Sequence, residues 1–474
     1  MKKTTAALPR RTFLKAAAGF TGASLFGGLS FKAFADATTL APPDRCFVFA
    51  YFSGGWDVLM ALDPRDPMAF TAERISETRI LPGYSLLSSD PSFPTTQVTP
   101  TQRAGGPAPS MVFGPAIGRM ADHYDLATVV RGINMNTVAH EVGYRYFLTG
   151  KMPNGSAARG SATATEIVGQ LKPKVPVPSI AYNIETYNDR YGGDANALRV
   201  SSANDLLLTL SPSPTTIDSE IEKDLIDLHG KPISCEAQLY DSRGLVGQYA
   251  NSRGQMQTVL SSHLDAYFRF ADNPADPQSL RDEKTALRKL YGLKPEGPND
   301  PVNSPAAKAA LTATALKRGV SQCMSINITG GLDTHFGTQL TQANGQRVGW
   351  NALGDLVTDL RGSAHPSGGT FMDHTTIFVF SEFSRTPLIN ASGGRDHHIT
   401  NSALLLGAGI SHNKVFGKSG DVGLSAGLVD YQTGAADPNG LEILPEHLIA
   451  TILASANLDY SITRVSPLPG LLAP

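Results

Sequence analysis

Apolar residues in this chain come in short unbroken runs set between polar, glycine-rich turns. Arg45 to Phe52, RCFVFAYF, is almost continuous and stops at Ser53-Gly54-Gly55-Trp56-Asp57. A run of that length without alternation suits a parallel strand buried on both faces. Thr376 to Phe380 reads the same way, Leu126 to Arg131 and Gln322 to Ile328 are further strands, and VPVPSIAYNI, ALRVSS and Leu404 to Leu406 are shorter strand candidates. Helical spacing predicts helices at Val142 to Leu148, Ala306 to Arg318, Trp350 to Arg361 and Leu444 to Ala454, with Gly150 placed to cap the first. PAIGRMADHY, ending at Tyr124, predicts a short amphipathic helix. Residues 63–110, rich in Pro, Ser, Thr and Gly, predict long loops, and 151–215 short strands between turns. From about 216 to 292 the pattern turns wholly helical and reads as an insertion, followed by a Pro/Asn/Gly linker to Pro305. Strands alternating with helices predict an α/β sandwich with a mainly parallel central sheet.

The N-terminus departs from this pattern. Lys2, Lys3, Arg10 and Arg11 are followed by a small-residue apolar stretch, Ala16 to Leu29, and by Ala33-Phe34-Ala35. Arg10-Arg11-Thr12-Phe13-Leu14-Lys15 resembles the twin-arginine export consensus, and A-x-A is a cleavage pattern. Residues 1–35 are therefore expected to be a signal peptide and 36–474 the folded domain, periplasmic or secreted. The expected partners are the twin-arginine translocation machinery during export, with no stable membrane span after cleavage. The three cysteines, Cys46, Cys235 and Cys323, lack C-x-x-C spacing, and two of them lie in strand-like runs. They read as core residues. A formal net charge of −2 without a long basic run excludes a nucleic-acid binder as the leading reading.

Acids and imidazoles gather where the apolar runs stop. Asp57 follows the first. Thr137, His140 and Glu141 follow the second. Gly330-Gly331-Leu332-Asp333-Thr334-His335 follows SQCMSINI. Ser381-Glu382 closes TIFVF, with Arg385 and then Asp396-His397-His398 beyond. Such donors suit Zn²⁺, Mn²⁺ or a related divalent ion. One ion would take Asp333, His335 and His397 or His398; a second would take Asp57 and Glu382 with Asp396. Each piece has a plainer reading. Asp57 would cap a turn, Asp333 would cap a helix, Glu382 would pair with Arg385, and Asp396-His397-His398 would be a solvated loop.

The Gly-Gly-x-Asp turn at Gly54–Asp57, the Asp333-Thr334-His335 motif and SEFSRTPLINASGGRDHH resemble the bacterial domain-of-unknown-function family 1501. That family is grouped with the alkaline phosphatase/sulfatase superfamily. The resemblance implies a three-layer, alkaline phosphatase-like sandwich. It also implies metal roles for Asp57, Asp333, His335 and His397 or His398, with one or two divalent ions. The superfamily's nucleophile opens a helix ending Leu-Thr-Gly. Leu148-Thr149-Gly150 matches that ending, which puts His140 where Ser, Thr or Cys is usual; Thr137 is the nearest hydroxyl. Glu382 stands where Asp-His is usual. The implied activity is metal-dependent hydrolysis of a small anionic sulfate or phosphate ester, with His140 as nucleophile or acid–base group and Arg385 on the substrate anion. The alternative is a non-catalytic periplasmic protein that binds metal or anions, or assists another exported protein, on the same fold.

Overall fold

The computed structural model describes residues 41–210, 264–294 and 303–474, with the single positions 224, 241, 244 and 247. The basic and apolar leader at 1–35, Cys235, His229, His263, most of the helical segment expected between 216 and 263, and linker residues 295–302 lie outside the described residues. By internal contacts, the described residues between 204 and 269 fall in one compact unit and the other described residues in another. In the first unit the described elements are most of a helix, Ala203–Leu210, and one helical turn, Asp265–Phe268.

The second unit is built on an eight-stranded sheet. Its strands are β1 (Cys46–Phe52), β2 (Ala127–Asn134), β3 (Ser179–Tyr182), β4 (Leu198–Val200), β5 (Cys323–Thr329), β6 (Thr375–Phe380), β9 (Thr400–Gly407) and β10 (Lys414–Phe416). Two more, β7 (Ser384–Arg385) and β8 (His397–His398), form a separate antiparallel ribbon. The sheet order is β10-β2-β9-β6-β1-β5-β3-β4. Every pairing is parallel except those of β9 with β2 and β6. The expected α/β architecture with a mainly parallel sheet is thus present.

All seven residues of β1 are buried, because helices cover both faces. On one face Phe47, Phe49 and Tyr51 join Phe147, Ile167, Val168, Leu448 and Ile452 from three helices in a single core. On the other, Phe52 lies 4.6 Å from Trp350 of helix Gln339–Gly362, ring centre to ring centre. Full burial of each such aromatic stabilises the fold by about 1.5–3 kcal/mol relative to exposure. Cys46 and Cys323 are buried free thiols of this core.

Several elements differ from the sequence expectation. The segment ending at Tyr124 belongs to a 3₁₀ stretch, Gly118–Leu126, kinked at His123, rather than an amphipathic α-helix. Thr163–Leu171 and Ala203–Leu210 are helices where strands and turns were expected. Helix Gln339–Gly362 starts eleven residues before the expected Trp350. Its early turns bury Gln342 and Gln346, whose amides donate to the Gly55 and Asp57 carbonyls, so a polar inner face hides the apolar period. Among the described residues, no helix is long and apolar enough to cross a membrane.

The seven parallel strands end at one edge. β1, β2, β5 and β6 deliver the segments around Asp57, His140, Asp333 and Glu382 there, and the antiparallel β9 begins beside them, just after His398. That is the edge at which open α/β sheets build sites.

Candidate metal centre

Close backbone contact assembles the site. Gly54 has φ +112, and a Cβ on it would stand 2.6 Å from the Asp333 amide nitrogen. The turn after β1 therefore rests on the chain leaving β5, which only glycine permits. Helix His140–Thr149 starts against the end of β6. A Cβ on Gly143 would come within 2.1 Å of the Glu382 carbonyl oxygen, so the missing side chain lets His140 reach Glu382.

Three imidazoles share one arrangement. His140 Nδ1 lies 2.8 Å from Glu382 Oε1, His335 Nδ1 lies 2.8 Å from Asp396 Oδ1, and His397 Nδ1 lies 2.7 Å from the Val138 carbonyl oxygen. Each partner is an oxygen acceptor, so each Nδ1 carries its proton and donates. Every Nε2 is left to face inward, toward Asp333. His335 Nε2 is 3.2 Å and His397 Nε2 3.5 Å from Asp333 Oδ1, and His140 Nε2 is 3.6 Å from Oδ2. His335 Nε2 and His397 Nε2 stand 2.9 Å apart.

Two neutral imidazoles with their protons on Nδ1 would oppose lone pairs at that distance. A cation between them, either a proton or a metal ion, removes the repulsion. Four donors around a tetrahedral zinc at about 2.0–2.1 Å would lie about 3.3 Å from one another, and the distances above bracket that figure. Among the described residues, His140, Asp333 and His397 form the grouping of three acid or imidazole residues whose ligand atoms all lie within 4.8 Å of one another. His335 adjoins it. Carboxylate and carbonyl acceptors on the outer nitrogens are the usual means of aiming histidine ligands at a metal.

Electrostatics follow from these contacts. The hydrogen bond to Glu382 raises the His140 pKa, against the effect of burial. Burial lowers that of His397, helped by the charge of Arg385. Burial disfavours the Asp333 carboxylate, yet Arg385 and the imidazoles together hold its pKa below the usual range. The hydrogen bond from His335 lowers that of Asp396. Glu382 is sealed in, accepting also from the Gly54 amide at 2.8 Å and from the Ser381 hydroxyl at 2.9 Å.

The remaining expected site residues lie elsewhere or act through another residue. Asp57 is fully buried, 2.9 Å from Arg395 Nε, and its Oδ1 accepts from the Leu59 amide. Burial pushes its carboxyl pKa up against the pull of Arg395. The second-ion set of Asp57, Glu382 and Asp396 is not assembled, because each carboxylate is engaged with a different partner. Arg385 is also fully buried. It donates to the carbonyls of Gly54, Gly55 and Arg395 and, at 2.7 Å, to Asp333 Oδ1, which leaves it no open face for a substrate anion. The Glu382–Arg385 pairing considered from sequence is replaced by Glu382–His140 and Arg385–Asp333. His398 turns away from the cluster, with Nδ1 3.3 Å from the Thr400 carbonyl oxygen, and burial lowers its pKa. The Thr137 hydroxyl oxygen accepts from the Ala139 amide in the turn before the helix. Sequence reasoning missed the Val138 carbonyl, which has no residue-type signal, and Arg395, whose partner lies far away in the chain.

No curated protein matches the chain. Among solved structures it is similar to the crystal structure of Ps i-CgsB, at 8% identity and a TM-score of 0.36, over 90% of this chain and 75% of that one. It is also similar to Ps i-CgsB in complex with k-i-k-neocarrahexaose, at 9% identity and a TM-score of 0.31, over 89% and 74%. Neither likeness is close enough to carry fold or function across. The family model described as "Protein of unknown function (DUF1501)" matches residues 45–461, nearly the whole described chain, and the protein belongs to that family.

Proposed function

We propose that the protein is an exported, metal-dependent hydrolase of sulfate or phosphate esters, working on an alkaline phosphatase-like sandwich with one divalent ion at the sheet edge. A single observation carries the reading: three imidazoles, each with Nδ1 on an oxygen acceptor, turn Nε2 toward one carboxylate, with two of those nitrogens 2.9 Å apart. The nitrogen-rich set favours Zn²⁺ over Mn²⁺. His140, Asp333 and His397 would hold the ion, and His335 would complete or border its shell. A divalent ion there supplies Lewis acidity and lowers the pKa of a water molecule.

The chain's own groups do the rest. Glu382, Asp396 and the Val138 carbonyl fix the imidazole orientations. Arg385 keeps Asp333 ionised. Ala139 gives no side-chain cap to helix His140–Thr149, so its first amide N–H groups remain for the anionic head of an ester. Water would add to phosphorus or sulfur, the ester bond would break, and the alcohol would leave with a proton. Since Thr137 is committed to its turn, water rather than a hydroxyl side chain is the nucleophile in this reading.

A second reading, metal or anion binding without turnover, is favoured by the sealing of Asp57 and Arg385, two groups on which ester hydrolysis of the superfamily type would lean. Two measurements decide. Metal content and melting temperature are recorded for protein purified without chelator and then supplied with Zn²⁺. Aryl phosphates and aryl sulfates are then tested for turnover. Zinc uptake with turnover that vanishes in Asp333→Asn supports the hydrolase. Zinc uptake without turnover supports the binding protein. No uptake of any divalent ion ends the hydrolase and the metal-binding reading alike, and leaves anion binding alone.

A further inference from the structure

We infer that the ligand of this centre joins its small anionic head to an apolar arm, aryl or alkyl, and is not a polyanion. The inference rests on the metal-centre reading above and adds the substrate class. Large exposed hydrophobics scattered singly on a surface mean little. Here three of them adjoin the site histidines, on separate segments. Phe336 is 87% exposed and follows His335, its ring centre 6.2 Å from the imidazole. Val138 is 44% exposed, and its carbonyl holds His397. Ile399 is 42% exposed, two residues beyond His397, and its own carbonyl accepts from the Met135 amide, which ties it to the Val138 segment. Beneath them Phe383 is fully buried, its ring 4.7 Å from that of His140 and 4.2 Å from that of His397. The centre thus packs on an aromatic ring and has exposed apolar residues in the chain beside its imidazoles as a rim, a combination that suits a binding surface.

Charge gives the second strand of the argument. The guanidinium that bears on Asp333, His140, Asp396 and His397 is Arg385, and it is sealed among carbonyl oxygens. Arg395 is 1% exposed, with its N–H groups on Gln339 and the carbonyls of Leu81, Pro82 and Thr386 and its charge paired with Asp57. Neither is open to receive a second anionic group. A bound ion and the helix start would satisfy one head group, and the rim would meet the rest of the molecule through apolar contact.

The test is isothermal titration of the zinc-loaded full-length protein with methylphosphonate, butylphosphonate and phenylphosphonate. Affinity is expected to rise at least about tenfold from methyl to phenyl, since burying several carbons is worth that much. Phe336→Ser together with Ile399→Ser should remove most of the gain, while zinc stoichiometry and methylphosphonate affinity stay unchanged. Both positions are exposed, so the variant should fold. Equal affinity along the series, or a gain untouched by the two serines, overturns the inference while leaving the metal centre standing. Failure to take up zinc overturns the centre and the inference together.

Discussion

Asp57 and Asp333 occupy matching places. Each follows a Gly-Gly-x turn at the end of a strand, β1 and β5 are neighbours in the sheet, and each carboxylate meets a guanidinium. Their fates differ. Asp57 is closed in with Arg395, and among the described residues no imidazole is paired with it. The Asp333 side chain is 51% exposed, uses one oxygen for Arg385, and receives three imidazole nitrogens. The lesson is that a carboxylate at a strand end becomes structure or site according to which cation reaches it and whether water still can. A buried carboxylate with a buried guanidinium is already neutralised and offers a metal nothing.

Four experiments would break or sharpen that contrast. The largest effect should come from Arg395→Met, which leaves the Asp57 charge buried without a partner. Urea unfolding should show a loss of about 3–5 kcal/mol, and a loss under about 1 kcal/mol would mean the pair is not the structural element described.

Next is zinc itself. At about 100 times its dissociation constant, a ligand specific to the folded state adds about 2.7 kcal/mol. The wild type should gain roughly that increment, and chelator should remove it. Asp333→Asn and His397→Ala should lose most of it, while Asp57→Asn starts less stable but keeps the increment. If Asp57→Asn lost it instead, the roles of the two carboxylates would be reversed.

The third effect is pH dependence. Glu382 raises the folded-state pKa of His140 above 6.5. In metal-free protein the protonated pair contributes stability that is fully present below the unfolded value and is lost as pH rises through the folded one. Zinc needs His140 Nε2 free of its proton, so affinity runs the opposite way. It should fall about tenfold per unit as pH drops below the folded pKa, and level off above it. Competition titrations across that range would show the curve, and Glu382→Gln should move its bend toward lower pH. An unmoved bend would detach Glu382 from His140. The smallest effect belongs to Thr137→Val, expected within about 0.5 kcal/mol of wild type and without loss of turnover. A large loss of turnover would return the hydroxyl to the mechanism.

Much of the scaffold was legible because its signals are local. β1 is an unbroken apolar run, β6 ends in one and β5 is rich in apolar residues; Gly150 caps the His140 helix in the left-handed region as its position predicts, and the acids and imidazoles appear where these strands stop. The direction of β9 was not legible, since an apolar strand reads alike in either sense. Nor was the length of helix Gln339–Gly362, whose buried glutamines serve the turn after β1. Within the site the residue types were readable, but their division was not. Glu382 and Asp396 were expected on the metal and instead hold the imidazoles, while Asp57 was expected there and meets Arg395. Those choices depend on contacts between distant parts of the chain, which spacing does not encode.

The two-residue ribbon of β7 and β8 has a consequence for how this loop tolerates change in length. Ser384 pairs with His398 and Arg385 with His397. Neighbouring residues on a strand point to opposite sides, so of two adjacent imidazoles only His397 is presented to Asp333. The dipeptide is therefore no spare copy. Removing or adding one residue between Thr386 and Asp396 would shift the ribbon by one step and exchange the imidazole on offer, whereas a change of two would restore the original side. The segment keeps a parity as well as a sequence, and length variants of odd and even size should separate into two classes of metal affinity.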